Sequence, residues 1–230
     1  MTKRIIIIRH GDDPPDDRVY TYFQQNGFLP EIRTPFKGDV LGALTDDVVG
    51  SVIHGGPFNV FETDKHPFLK DEHRWIEQCI DKQIPLLGIC QGAQSIAHTL
   101  GAKCGPRDGE PHEFGYYPLF PTDAGKGFLE QSLVFAQSHF HEFEVPSGGV
   151  LLAYSELFPQ QVFKYEETTY AMQFHPEITI EGFRRWQQSY AYRYGKSGSQ
   201  TKEEQNRLMH KHDADQAVWF INFLEKLFKK

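Results

Sequence analysis

Short apolar runs alternate with amphipathic stretches along the first hundred residues. Residues 4–9, 48–54 and 85–89 are compact and rich in branched side chains, the pattern of strands buried on both faces. Between them, residues 19–26 and 71–82 carry apolar side chains at helical spacing, and residues 91–100 read as a further helix ended by Gly101. That alternation is what βαβ units produce. It predicts an α/β fold with a mostly parallel open sheet flanked by helices. Beyond residue 110 the runs shorten: residues 114–120, 134–137, 150–154 and 161–165 read as strands, several of them antiparallel, and residues 169–174 as one more. A smaller antiparallel portion therefore extends the sheet.

The C-terminal part is helical in pattern. Ile180, Phe183, Trp186 and Tyr190 recur at helical spacing, and so do Val218, Ile221, Leu224 and Phe228. The polar, glycine-bearing stretch 195–204 separates the two as a linker. Lys229 and Lys230 suit the C-terminal end of a helix. The expectation is one domain over residues 1–230, with a helical segment over 179–230 packed on the sheet.

Composition narrows the function. The chain has 230 residues, 39% hydrophobic and 24% charged, a globular balance with room for one sizeable core. Its 31 acidic and 24 basic residues give a net charge of −7, which argues against broad binding to nucleic acid or to an anionic membrane. Cys79, Cys90 and Cys104 are odd in number and lack metal-ligand spacing, as in a reducing cytoplasm. The N-terminal apolar run, Ile5 to Ile8, is too short for a signal-peptide core or a membrane span.

The chemistry concentrates in three segments. In the first, an apolar run ends at Gly88-Ile-Cys90-Gln-Gly92 and passes into a helix. This is the form of a nucleophile elbow, a sharp strand-to-helix turn that presents one reactive side chain. Glycines two residues either side of Cys90 leave room for the turn. A helix N-terminus behind the sulfur favours the attacking thiolate. In the second, Phe174-His175-Pro176-Glu177 follows a strand, and Pro176 keeps His175 extended. Glu177 can accept from one imidazole nitrogen, leaving the other to serve Cys90 as base. In the third, His54-Gly55-Gly56-Pro57 ends an apolar strand, where glycine N–H groups can turn toward a ligand. The N–H of Gly56 with that of Gln91 would form an oxyanion hole.

With these segments the chain resembles the class I glutamine amidotransferases, and among them the glutaminase part of GMP synthetase and its free-standing relatives. The matching pieces are His54-Gly-Gly-Pro57, Gly88-Ile-Cys-Gln-Gly-Ala-Gln94 and Gln173-Phe-His-Pro-Glu177. The resemblance runs from the first strand to about Glu177. It implies a flavodoxin-like sheet and a γ-glutamyl thioester mechanism with Cys90, His175 and Glu177 as the triad. It implies that Gln94 helps hold glutamine, and that no metal or other cofactor is required. Ser138 and His139 match the family's Ser-His-Gly-Asp element, whose backbone contacts the amino-acid end of glutamine. Phe140 stands in place of the glycine there and His141 in place of the acidic residue, a departure that points away from free glutamine as the sole substrate.

The residues leave several readings to separate. The first is a glutaminase that supplies ammonia to a separate synthetase subunit, the chain itself having no room for one. The second is a free-standing γ-glutamyl peptidase or hydrolase acting on γ-glutamyl peptides or amides. A catalytically silent binding or regulatory module is the third. Arg9-His10-Gly11 also echoes the opening of the histidine phosphatases, but Asp12, Asp13, Asp16 and Asp17 follow at once and would repel a phosphoester. His10 and Gly11 are instead expected to begin a loop at the active-site edge of the sheet. His139 and His141 alternate like two metal ligands on a strand, although the family match is the better account. His210 and His212 are expected in solvent.

Overall fold

A computed structural model describes residues 3–228. The expectation for Lys229 and Lys230 lies outside the described residues. The strands are β1 (Arg4–Ile8), β2 (Leu29–Arg33), β3 (Val48–Ile53), β4 (Leu86–Ile89), β5 (Cys104–Pro106), β6 (Glu113–Pro121), β7 (Leu133–His139), β8 (His141–Phe143), β9 (Gly149–Tyr154), β10 (Val162–Tyr165) and β11 (Thr169–Met172). The α-helices are α1 (Arg18–Gln25), α2 (Phe68–Asp81), α3 (Gln91–Thr99), α4 (Ile180–Ser189) and α5 (Lys202–Phe228).

Nine strands form one sheet in the order β2-β1-β3-β4-β11-β10-β9-β6-β7. The first five are mutually parallel, and the remaining four continue the sheet antiparallel. β5 and β8 form a separate antiparallel pair. The order 2-1-3-4 is that of an open, doubly wound sheet, whose ligands bind beyond the carboxyl ends of the parallel strands.

The strand period of two divides the core. Ile5 and Ile7 face one side of the sheet, with Val52, Leu87 and Ile89, and meet Val19, Tyr22 and Phe23 of α1 and Phe220, Leu224 and Leu227 of α5. Ile6 and Ile8 face the other side, against Trp75, Ile76 and Cys79 of α2 and Ala93, Ile96 and Ala97 of α3. Burying each such branched side chain contributes roughly 1.5–3 kcal/mol, so β1 is covered on both faces and fixed in register. A third cluster joins Phe114, Tyr116 and Ala136 to Phe183 and Trp186 of α4 and Met209 of α5.

Four expectations need correction. β2 has no counterpart in the sequence reading because Pro30 and two charged residues interrupt its pattern; as an edge strand it tolerates the proline. β11 stops at Met172 rather than at residue 174, and the Gln173 N–H donates to Gln161 O at 2.8 Å. On α5, Val218 is 64% exposed and Ile221 36%; the buried face carries Met209, Gln216, Phe220 and Leu224. Gln216 is buried because its Oε1 accepts the Ala136 N–H at 3.0 Å, and a polar residue on the inner face hides the true stripe. The stretch 195–204 is a pinned connection, not a free linker. Gln200 accepts the Tyr116 N–H at 2.8 Å and donates to Tyr116 O at 2.7 Å, so its amide pairs with β6 as a peptide group would.

Candidate active site

The loops that follow β1, β3, β4 and β11 meet at one edge of the sheet around a cavity of about 350 Å³. Cys90 sits between β4 and α3 with φ 53° and ψ −109°. A positive φ in a side-chain-bearing residue costs of order 1–3 kcal/mol and persists only where its surroundings enforce it. Here the Cys90 N–H donates to Met172 O at 2.7 Å, and its carbonyl accepts the Gln94 N–H at 3.1 Å. The flanking glycines make the turn fit. A Cβ on Gly92 would lie 2.0 Å from Ile53 O, and one on Gly88 would lie 2.5 Å from Gly92 O. Helix α3 therefore starts in contact with β3 and β4, which drives Cys90 up into the cavity.

His175 follows β11 and is tied to β7 by its N–H, which donates to Ala136 O at 2.8 Å. Its Nδ1 pairs with Glu177 Oε1 at 2.8 Å, both side chains being buried. Nε2 has no hydrogen bond of ordinary geometry, yet it lies close enough to Cys90 for the two to interact electrostatically. Burial opposes charge on the imidazole, but the Glu177 carboxylate and Cys90 outweigh it and raise the His175 pKa to about 10. Burial likewise opposes charge on Glu177, and the His175 imidazolium overcomes it, holding the carboxyl below its usual range. The Trp186 ring stands edge-on to His175 at 4.6 Å between centroids and closes the pair off from solvent.

Gly55 passes directly over this pair. A Cβ there would be 3.1 Å from His175 Cε1 and 3.2 Å from Cys90 Cβ. Gly56 is held between two neighbours, His10 and the Gln91 side chain, which an added Cβ would meet at 2.3 and 2.7 Å. Gln91 Oε1 also accepts the Phe58 N–H at 2.8 Å, so the first residue of α3 secures the His54–Pro57 loop. The Gln91 N–H belongs to the first turn of α3 and has no partner within the helix. Burial lowers the pKa of His54, against the pull of Asp17, and leaves its imidazole neutral.

His10 is 3% exposed. Its Nε2 meets Glu72 at 2.9 Å and its Nδ1 meets His54 O at 3.1 Å. Both partners only accept, so both nitrogens donate; burial opposes that charge, and Glu72 restores it. Both nitrogens are engaged, so His10 cannot take a phosphoryl group. It buttresses the His54–Pro57 loop. Gly11 and Asp13 do line the cavity, as a loop at this edge would.

Gln94 lines the cavity and donates from Nε2 to Gln173 Oε1 at 3.0 Å, leaving its own carbonyl oxygen available. Ser138 and Phe140 also line the cavity. The His139 side chain turns away, pairing with Glu113 at 3.0 Å, and Glu113 also accepts from Ser155 and Gln161. Both imidazole nitrogens of His139 are thus taken, the other by His141 O at 3.0 Å, so only its backbone can face a ligand. Phe140 stacks on His112 at 5.0 Å.

Several lining residues are not among those that the sequence marks for the site: Arg9, Asp16, Asp17, Arg185, Tyr192 and Arg193. Arg9 ion-pairs with Asp17 and donates to Asp13 O at 3.0 Å, winding the loop after β1 around itself. Arg185 grips Asp16 with bonds of 2.9 and 2.7 Å, joining α4 to that loop. The acidic run 12–17 and the aromatic series Trp186, Tyr190, Tyr192 and Tyr194 were the available signals, and each also fits a plain solvent-facing or packing role.

Comparisons with known proteins point to one family. The family model for class-I glutamine amidotransferases matches residues 30–185. The chain is 34% identical over 134 residues to a glutamine-hydrolysing GMP synthase of Dehalococcoides mccartyi, over 56% of this chain and 23% of that protein. It spans about a quarter of the length of the GMP synthases it matches. A glutamine amidotransferase-like protein of Salmonella typhimurium is 27% identical over 191 residues, covering 77% of each chain. The crystal structure of a glutamine amidotransferase from Thermotoga maritima superposes with a TM-score of 0.86 at 26% identity, over 100% of both chains. A glutamine amidotransferase from Methylobacillus flagellatus shares the fold, with a TM-score of 0.90 at 20% identity, over 100% of this chain and 95% of that one.

Proposed function

The chain belongs to the class I glutamine amidotransferase family, and from that premise we propose that it hydrolyses the side-chain amide of glutamine, or of a γ-glutamyl compound, through a thioester on Cys90. One observation carries the reading. A cysteine on a strained strand-to-helix turn faces a buried imidazole, whose far nitrogen is held by a carboxylate. That is the arrangement of an activated nucleophile, its base and the group that orients the base. His175 keeps its proton up to about pH 10. It therefore stands beside the sulfur as an imidazolium, the pairing in which cysteine attacks as thiolate.

In the proposed reaction the Cys90 sulfur attacks the amide carbon, and the carbonyl oxygen becomes an oxyanion held by the N–H groups of Gly56 and Gln91. Each such donor is worth on the order of 10²–10³ in rate. Collapse breaks the carbon–nitrogen bond, and the leaving amine takes the proton from His175 Nε2. Water then attacks the thioester, giving its proton back to Nε2, and Cys90 leaves. Gly55 forms the roof over the reacting carbon, and Gln94 offers its carbonyl oxygen to the bound amino acid. Ser138 and the backbone at His139 and Phe140 line its other end.

The ammonia could pass to a separate synthetase subunit, as the likeness to GMP synthases suggests. A free-standing γ-glutamyl peptidase is favoured by one feature: Phe140 and the neighbouring aromatic wall suit a substrate larger than free glutamine. The direct test is to acid-quench the protein during turnover and search for a γ-glutamyl adduct on the Cys90 peptide by mass spectrometry. The adduct is expected on Cys90. Turnover with no adduct on Cys90 would overturn the thioester route.

A further inference from the structure

Arg193 is a buried cation that lines the cavity and has no carboxylate partner. It is 8% exposed and ends the turn that follows α4. The other two arginines that line the cavity are neutralised, Arg9 by Asp17 and Arg185 by Asp16. Among the described residues no acidic group reaches Arg193. Its side-chain hydrogen bonds are a 2.9 Å donation to Ser138 Oγ and a 3.4 Å donation to Tyr192 Oη. The guanidinium is held in place by rings, with Tyr190 at 4.8 Å, Phe140 and Tyr192 at 5.8 Å and Phe114 at 5.9 Å. Rings fix its plane and offer it no counter-charge. A desolvated, oriented and unpaired guanidinium is costly unless an anion completes it.

The reach fits one anion. The Ala136 carbonyl accepts the His175 N–H, and Ser138 lies two strand residues further along β7, about 7 Å away. Arg193 bonds to Ser138 and lines the same cavity as Cys90 and His175. In an extended γ-glutamyl unit the α-carboxylate lies about 5 Å from the carbonyl carbon that Cys90 would attack. We propose that Arg193 is the receptor for the α-carboxylate of the γ-glutamyl unit, with the planar fork donating to the carboxylate oxygens. This rests on the thioester reading of the site. It makes the substrate class γ-glutamyl compounds with a free α-carboxylate and excludes simple amides. Arg193 lies beyond residues 30–185, the part that the family model covers.

The test compares L-γ-glutamyl-p-nitroanilide with its α-methyl ester on the wild type, Arg193→Gln and Arg193→Lys. Wild type is expected to prefer the free acid by about 10²-fold in kcat/KM, the scale of losing one partner of a buried charge pair. Arg193→Gln should collapse that preference of acid over ester, with a cooperative melt showing that it folds; Arg193→Lys should fall between. Equal losses on acid and ester would overturn the proposal. So would a preference that follows the leaving group, as between γ-glutamylglycine and γ-glutamylglycinamide. Cys90→Ala separates the two claims. Turnover that survives this change removes the thioester reading alone. Calorimetry of L-glutamate with Cys90→Ala, bound there and lost in Cys90→Ala/Arg193→Gln, then tests Arg193 without catalysis, and unchanged binding in the double variant overturns its role.

Discussion

Replacing Glu177 by Gln keeps the shape of the site and removes the charge that sustains the His175 imidazolium. Burial alone would drive the proton off; the Glu177 carboxylate, 2.8 Å from Nδ1, is the largest influence keeping it on. At pH 8 an imidazole with a pKa of about 10 is about 99% protonated, and one at the ordinary 6.5 is about 3% protonated. With burial still opposing the proton, the reactive pair should therefore fall at least about thirtyfold at pH 8 and by a much smaller factor at pH 6. A second loss, from an imidazole no longer held in one orientation, applies at every pH and is on the order of 10²–10⁴. The assay is kcat/KM for glutamine or γ-glutamyl-p-nitroanilide from pH 6 to 9, wild type against Glu177→Gln. The ratio of the two should widen steeply as pH rises. A ratio that is constant across this range would refute the reasoning, because Glu177 would then orient His175 without controlling its proton.

Other consequences are equally direct. Gly92→Ala sets a Cβ 2.0 Å from Ile53 O, and overpacking of this kind costs about 1–3 kcal/mol; it should lower the urea midpoint and slow Cys90 alkylation. Gln200→Ala removes both bonds to Tyr116. It should cost about 1–3 kcal/mol in denaturant titration and leave the reactivity of Cys90 unchanged. Burial pushes the Cys104 thiol up to about 12 and raises Cys79 further still. Iodoacetamide at pH 7.5 should therefore label Cys90 first, as peptide mapping would show. Stability should also follow the triad pair. The raised pKa of His175 contributes stability fully present below about pH 6.5 and lost as pH approaches 10, whereas the lowered pKa of Glu177 contributes stability present above about pH 4.5 and lost in acid. The melting temperature should fall on both sides of that interval, and His175→Gln should flatten the alkaline fall.

The sheet was legible where the chain obeys a single period. β1, β3 and β4 are continuous apolar runs because both their faces are covered, and the helices between them are amphipathic because one face is not. β2 was lost because an edge strand need not be apolar, and α5 was misphased because a buried glutamine sits on its inner face. The residues round Cys90 stood out because steric demands there select glycine twice within five positions. Arg193 could not be seen in the same way. Its partner Ser138 is 55 positions away, and only the folded chain joins them. Likewise, His139 alternates with His141 as metal ligands would, and only folding shows its ring turned to a buried carboxylate.

Glutamate release by the purified protein from glutamine and from a set of γ-glutamyl peptides, measured beside Cys90→Ala, is the most direct test of the thioester reading. The wild type should release glutamate and the variant none, with both proteins melting cooperatively. Release that continues undiminished without the Cys90 sulfur would contradict that reading.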